Sequence, residues 1–193
     1  MFQELYRDTG KTGGICVTTA LLIIDVQNFY FGDKGLEGSI EASVIAKGIL
    51  ARFRELKWPV IHVQHVSKAA QLSPEKAHSY QIHEHVQPLK GELVISKQTP
   101  GSFNNTELLS KLKDLSVEQL VICGMMSHMC VDTTTREAFD LGFKCTVIHD
   151  ACATRALQFE GKEVPAAMVH ATAMASLRFA FAEVISADAF LQR

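Results

Sequence analysis

The sequence has no apolar run long enough to cross a bilayer. Its longest stretches, such as Ala20 to Ile24 and Leu120 to Cys123, fall far short of the roughly 20 residues a spanning helix needs. It has no excess of one charge either. With 19 Lys and Arg against 21 Asp and Glu, a net charge of -2 gives no electrostatic reason to expect nucleic acid or an anionic membrane as partner. The first residues, Met1 to Asp8, lack the basic patch and apolar run of a secretory signal, so a cytoplasmic protein is expected. No two of the five cysteines (Cys16, Cys123, Cys130, Cys145 and Cys152) form a C-x-x-C pair, and their number is odd. This excludes both a disulfide framework and a zinc-ribbon spacing. No internal repeat is visible, and 193 residues suit one domain spanning 1–193, with its core at about 18–191.

What is present is an alternation of short β-rich runs with longer segments of helical period, the pattern of βαβ crossovers and a parallel sheet covered on both faces. Strands are predicted at Thr18 to Val26, Pro59 to Val66, Glu92 to Lys97, Gln119 to Met125, Lys144 to Asp150 and Glu183 to Ser186. Between the first two, Ser39 is placed to cap a helix whose Ile40, Val44, Ile49, Leu50, Phe53 and Leu56 form an apolar stripe, ending before Trp58-Pro59. Asn104 and Glu107 are spaced as a capping box for a helix through Leu115. Gly142 is a natural stop for a helix opening near Cys130, and Pro165 opens another running to about Phe181. From Ser67 to Gly91 the chain is polar, carries two prolines and three histidines, and shows no period. A long loop of this kind shapes a pocket or a subunit contact.

In open α/β sheets ligands bind beyond the carboxyl ends of the strands, so the residues that close each strand are the first candidates. Asp25 ends Ala-Leu-Leu-Ile-Ile, Lys97 ends Leu-Val-Ile-Ser, and Cys130 follows Leu-Val-Ile-Cys-Gly-Met-Met-Ser-His-Met at the start of a helix. A helix N-terminus and a lysine both favour thiolate, the reactive form of cysteine. Cys130 is therefore read as a nucleophile, Asp25 as general base and then acid, and Lys97 as the cation that pairs with Asp25. The oxyanion of an acyl transfer needs two donors, for which the backbone N–H groups of Met126 and Cys130 are the candidates. His128 is close enough in sequence to suggest a Cys/His dyad, but Asp25 already supplies a base, so an orienting role is favoured. Pocket walls are expected from Phe29, Phe31, His65, Tyr80, Phe103 and Thr134. For the aromatic members, core packing is an equal alternative.

Four motifs in order resemble the isochorismatase-like cysteine hydrolases, which include nicotinamidases and N-carbamoylsarcosine amidases: Leu-Leu-Ile-Ile-Asp25-Val-Gln-Asn-Phe, Lys97-Gln-Thr-Pro-Gly-Ser-Phe, Cys-Gly-Met-Met-Ser-His-Met-Cys130-Val-Asp-Thr-Thr-Thr-Arg-Glu-Ala and Asp150-Ala-Cys-Ala-Thr. The resemblance implies a three-layer Rossmann-like α/β fold with a six-stranded parallel sheet of order 3-2-1-4-5-6. It also implies an Asp-Lys-Cys triad and a non-proline cis peptide, which maps to Met125 and Met126. Nicotinamidases carry an Asp-x-His and further histidines that bind a metal near the second strand. This sequence reads His62-Val-Gln-His65 there, and strand residues three apart point to opposite faces. His83 and His85 are read as loop histidines. No metal and no cofactor are expected, and nicotinamide becomes a doubtful substrate.

A nucleophilic thiol favours amides, imides or ureides over the enol ether of isochorismate, which has no obvious need for one. The ether hydrolase and a non-catalytic redox-sensing thiol are the alternatives. The expected partner is a small-molecule substrate, with homo-oligomers (dimer or tetramer) implied by the resemblance. The alanine-rich segment Ala166 to Ala182 is either an association face or an internal crossover helix.

Overall fold

A computed structural model describes residues 18–67 and 73–193, so Cys16, the N-terminal residues and part of the 67–91 segment lie outside the described residues. All six predicted strands form: β1 (Thr18–Ile24), β2 (Val60–His65), β3 (Leu93–Lys97), β4 (Val117–Met125), β5 (Lys144–Ala153) and β8 (Glu183–Ile185). Every pairing among them is parallel, and they lie in the order β3-β2-β1-β4-β5-β8. The order is the expected 3-2-1-4-5-6, with the sixth strand of the sheet being the eighth in the chain. Leu21 to Ile24 and Leu120 to Cys123 are fully buried, because a central parallel strand is covered on both faces and has no solvent side for a polar residue. Among the described residues no helix is long and apolar enough to cross a membrane.

Helix α1 (Ser39–Glu55) ends where expected but buries a different face. Ile40 and Val44 are half exposed, and Leu56 lies outside the buried set. Ser39, Ala42, Ser43 and Ala46 fill the first two buried turns, followed by Ile49, Leu50 and Phe53. The predicted stripe followed large apolar residues, whereas a helix that sits close over a sheet buries small ones. Ser43 satisfies its hydroxyl by donating to Ile40 O and pairing with His85 Nδ1 at 2.8 Å. The cap is also corrected: Gly38, with φ of 71°, precedes the helix, and Ser39 is its first residue without a capping bond.

Helix α3 (Leu108–Asp114) starts later than the Asn104 and Glu107 spacing suggests. Asn104 bonds Thr99 Oγ1 instead, and Thr106 Oγ1 both donates to Ser102 O and accepts from Leu108 N, so local bonds hold this stretch as a loop. Within the aperiodic segment, Ser73 caps a short helix α2 (Pro74–Ser79), and a 3-10 turn at Glu84–Val86 buries Val86. A hairpin of β6 (Leu157–Phe159) and β7 (Lys162–Val164) went unpredicted. Its turn residues Glu160 and Gly161 both have positive φ, which suits a two-residue hairpin turn, but Glu-Gly lacks the usual Asn-Gly or Asp-Gly signal. Helix α4 (Asp132–Asp140) stops at Gly142, with φ of 92°, and α5 (Ala166–Ala180) follows Pro165. Helix α5 packs against α4 and β8, and α1 packs with the short α6 (Ala187–Leu191), giving a helical layer on each side of the sheet.

The sheet register aligns the ends of the central strands. Ile24, just before Asp25, lies opposite Val63 and Gly124, and His65 lies opposite Lys97. Gly124 has φ of 128°, and a Cβ there would sit 2.0 Å from Ile24 O, a backbone atom that cannot move aside. Gly124→Ala is therefore expected to cost about 3 kcal/mol of stability, read as a lower urea midpoint with unchanged slope. A wild-type midpoint would show that the close approach of β1 and β4 is not required.

Candidate active site

At the end of β1 the chain turns through Asp25, a non-glycine residue with φ of 51°, while its N–H still donates to Val63 O on β2. This turn aims a fully buried carboxylate across the strand ends. Lys97, closing β3, is equally buried, and its Nζ lies 2.6 Å from Asp25 Oδ2, 3.3 Å from Cys130 Sγ and 3.0 Å from Thr99 O. Three donors thus have three partners, which fixes the ammonium between carboxylate and thiol. The Asp25 carboxylate interacts with the Cys130 thiol as well as with the ammonium. The Met125–Met126 peptide bond is cis, and Cys130 follows in a π-helical turn (Ser127–Val131) that runs into α4. The structure brings Asp25, Lys97, Cys130 and the Met126 turn to one place.

The electrostatics correct one expectation. A thiolate favoured by Lys97 was anticipated, but burial pushes the Cys130 thiol up to about 12, and the adjacent Asp25 charge adds to this while Lys97 opposes it. Burial of the sulfur thus favours the neutral thiol over the thiolate. Burial likewise raises the Asp25 carboxyl against the opposing pull of Lys97 and Cys130. A more basic carboxylate beside a protonated thiol is what proton transfer between them needs.

Of the predicted wall residues, Phe29 packs against Tyr30 and Tyr80, with ring centroids 4.2 and 5.1 Å away. His65 lies within the fields of both Lys97 and Asp25, and burial lowers its pKa. Phe31 stacks on His83 at 3.7 Å. Two residues also make contacts elsewhere: buried Thr134 Oγ1 accepts from Ser102 N–H and pairs with Ser102 Oγ, and Phe103 stacks towards Phe143, with its N–H donating to Glu137. Both hold the loop after Lys97 against α4. His128 pairs with Thr154 Oγ1, in keeping with an orienting role.

Three residues near the triad were not singled out from sequence. Buried Tyr30 interacts with Cys130 and Asp25, and burial raises its phenol. The exposed Arg155 guanidinium acts on both Tyr30 and His128. Gln27, fully buried, accepts from His65 N at 2.8 Å and donates to His65 O at 2.9 Å and to Tyr80 O, joining β1, β2 and the segment after α2. The signal for Gln27 was its position two residues beyond Asp25, on the side of the chain where a polar residue must be buried.

The histidines do not converge. His62 Nε2 meets Glu92, which also holds Arg54, and His65 faces the triad. His83 and His85 touch edge to face, with centroids 4.6 Å apart. Among the described residues no group of three or more His, Cys, Asp or Glu side chains is placed to hold a metal ion.

The family model for the isochorismatase domain matches residues 19–189, almost the whole described chain. The chain belongs to the isochorismatase family. Among curated relatives of this isochorismatase-family hydrolase, the isochorismatase family protein YddQ of Bacillus subtilis is 46% identical over 180 residues, 91% of this chain and 100% of YddQ. The ureidoacrylate amidohydrolase RutB of Variovorax paradoxus is 25% identical, covering 69% of this chain and 68% of its own. The crystal structure of an isochorismatase from Pseudomonas putida superimposes with a TM-score of 0.84 at 35% identity, over 94% of this chain and 95% of that one.

Proposed function

We propose that this isochorismatase-family hydrolase cleaves an amide, imide or ureide C–N bond of a small molecule through a thioester on Cys130. The observation that carries the reading is the buried Lys97 ammonium, in simultaneous contact with Asp25 Oδ2 at 2.6 Å and Cys130 Sγ at 3.3 Å. Asp25 takes the thiol proton as Sγ attacks the carbonyl carbon. The oxyanion is received by the N–H groups of Met126 and Cys130. As the C–N bond breaks, protonated Asp25 delivers its proton to the leaving nitrogen, which departs as amine or ammonia. Water then enters, Asp25 removes its proton, and the resulting hydroxide attacks the thioester. Collapse of that intermediate releases the acid and returns the proton to sulfur. A C–N leaving group is a poor one and needs both the nucleophile and the acid, which this arrangement supplies. RutB is named for amide hydrolysis, which supports the same choice.

The alternative is hydrolysis of an enol ether, favoured by the likeness to a P. putida isochorismatase. Ammonia release from nicotinamide, acetamide and N-carbamoylsarcosine, and ring opening of succinimide to succinamate followed by chromatography, each with and without chelator, test the proposal. Turnover insensitive to chelator supports it. Silence across the panel with turnover of isochorismate supports the alternative.

The guanidinium of Arg155 adds positive potential beside Tyr30 and the nucleophile turn, and no carboxylate neutralises it in an ion pair among the described residues. Arg155→Gln is expected to lower kcat/KM about tenfold for a substrate bearing a carboxylate, such as N-carbamoylsarcosine, the size of one charge-assisted contact, and to leave neutral acetamide unaffected. Equal losses on both would refute a charge-recognition role.

A further inference from the structure

The turn that carries Cys130 is tied down from behind. Ser127, its first residue, is fully buried, and its hydroxyl lies 2.8 Å from His170 Nδ1 on α5 and 3.3 Å from Ala153 O at the end of β5. The next residue, His128, is held by Thr154. Ala153, Thr154 and His170 all line one cavity of about 270 Å³, together with His149 and Asp150, and none of the triad residues lines it. A serine hydroxyl has a single proton. If Ser127 donates it to Ala153 O, the bond from His170 has to be Nδ1–H donating to Ser127 Oγ, which fixes the imidazole tautomer. Burial, aided by His149 nearby, holds His170 below the usual histidine range and so in its neutral form.

We propose that His170 is a positioning residue, whose Nδ1–H bond to Ser127 Oγ holds the π-helical turn so that Cys130 Sγ stays beside Lys97 Nζ and Asp25. The inference rests on Cys130 being the nucleophile. Without His170, Ser127 keeps only the longer bond to Ala153 O, and the turn loses its side-chain hydrogen bond to α5. A displacement of about 1 Å at a reacting atom costs on the order of 100-fold in rate. His170 lies forty residues beyond Cys130 and on another helix, so spacing along the chain gives no sign of this role.

The test is the rate of Cys130 alkylation by iodoacetamide at pH 7.5, followed by peptide mass spectrometry on the full-length protein. Proton transfer to Asp25 makes this neutral thiol reactive, so His170→Leu is expected to slow labelling at least tenfold. His170→Asn, whose carboxamide places a donor where Nδ1 stood, is expected to restore most of the rate. An unchanged or faster rate in His170→Leu, or a His170→Asn variant as slow as His170→Leu, overturns the inference. If His170→Leu does not fold, Ser127→Ala carries the test, with the same slowing expected and a wild-type rate overturning it. A wild-type protein whose Cys130 labels no faster than buried Cys145 would instead refute the nucleophile reading on which the inference rests.

Discussion

Cys130→Ala is expected to abolish turnover, lowering kcat by roughly 10⁴- to 10⁶-fold, while leaving the fold intact. The side chain is buried, its polar contacts are with Lys97 Nζ and the Asp25 carboxylate, and the ammonium keeps Asp25 Oδ2 and Thr99 O as partners when the sulfur is gone. Removing a neutral thiol therefore leaves no uncompensated charge, and the loss in stability should stay near 1 kcal/mol, the scale of a small cavity. Activity and stability separate in this variant. Steady-state ammonia release together with a urea titration checks both. Residual activity within tenfold of wild type would move the nucleophile away from Cys130.

Lys97→Met behaves in the opposite way, since both functions fail together. Asp25 is completely buried, and its ion pair with Lys97 is the contact that offsets its desolvation. Taking away one partner of a buried pair costs about 3 to 5 kcal/mol, because the other charge stays behind. The penalty has a definite pH dependence. Burial already raises the Asp25 carboxyl above its ordinary value, and loss of Lys97 raises it further. A carboxyl raised in the folded state binds its proton more tightly there than in the unfolded chain. Below the unfolded value both states are protonated and the variant suffers no ionisation penalty, whereas stability falls as pH rises from there through the folded value. Urea midpoints of Lys97→Met should therefore lie closer to wild type at pH 5 than at pH 8. Adding Asp25→Leu should recover much of the lost stability without recovering activity. Midpoints that differ equally at both pH values would mean that packing, not charge, is what Lys97 contributes.

The strands were legible because fully buried parallel strands must be continuous apolar runs, and Leu21 to Ile24 and Leu120 to Cys123 are that. The candidate triad was legible for a related reason: a charged residue directly after such a run, as at Asp25 and Lys97, has to be explained. What stayed hidden is what neither hydrophobicity nor spacing records. Alanine and serine carry no amphipathic signal, so the buried face of α1 could not be read from Ile40 and Val44. Thr134 was expected on the pocket wall from its nearness to the strand ends, and the bond of its hydroxyl to Ser102 is a tertiary contact that the sequence does not record. Tyr30 and Arg155 reach the site from loops, whose course depends on tertiary contacts such as those of Gln27. The thiolate expectation failed on magnitude: a nearby cation was visible in the sequence, but the depth of burial that outweighs it was not.

The central claim is a covalent thioester on Cys130, and the most direct measurement is the intact mass of the protein quenched in acid during turnover of an amide identified by ammonia release. A fraction of the protein heavier by the mass of the acyl group, mapped by peptide analysis to Cys130 and absent from Cys130→Ala, is the predicted result. Full turnover with unmodified protein at every quench time, together with activity retained in Cys130→Ala, would contradict the account.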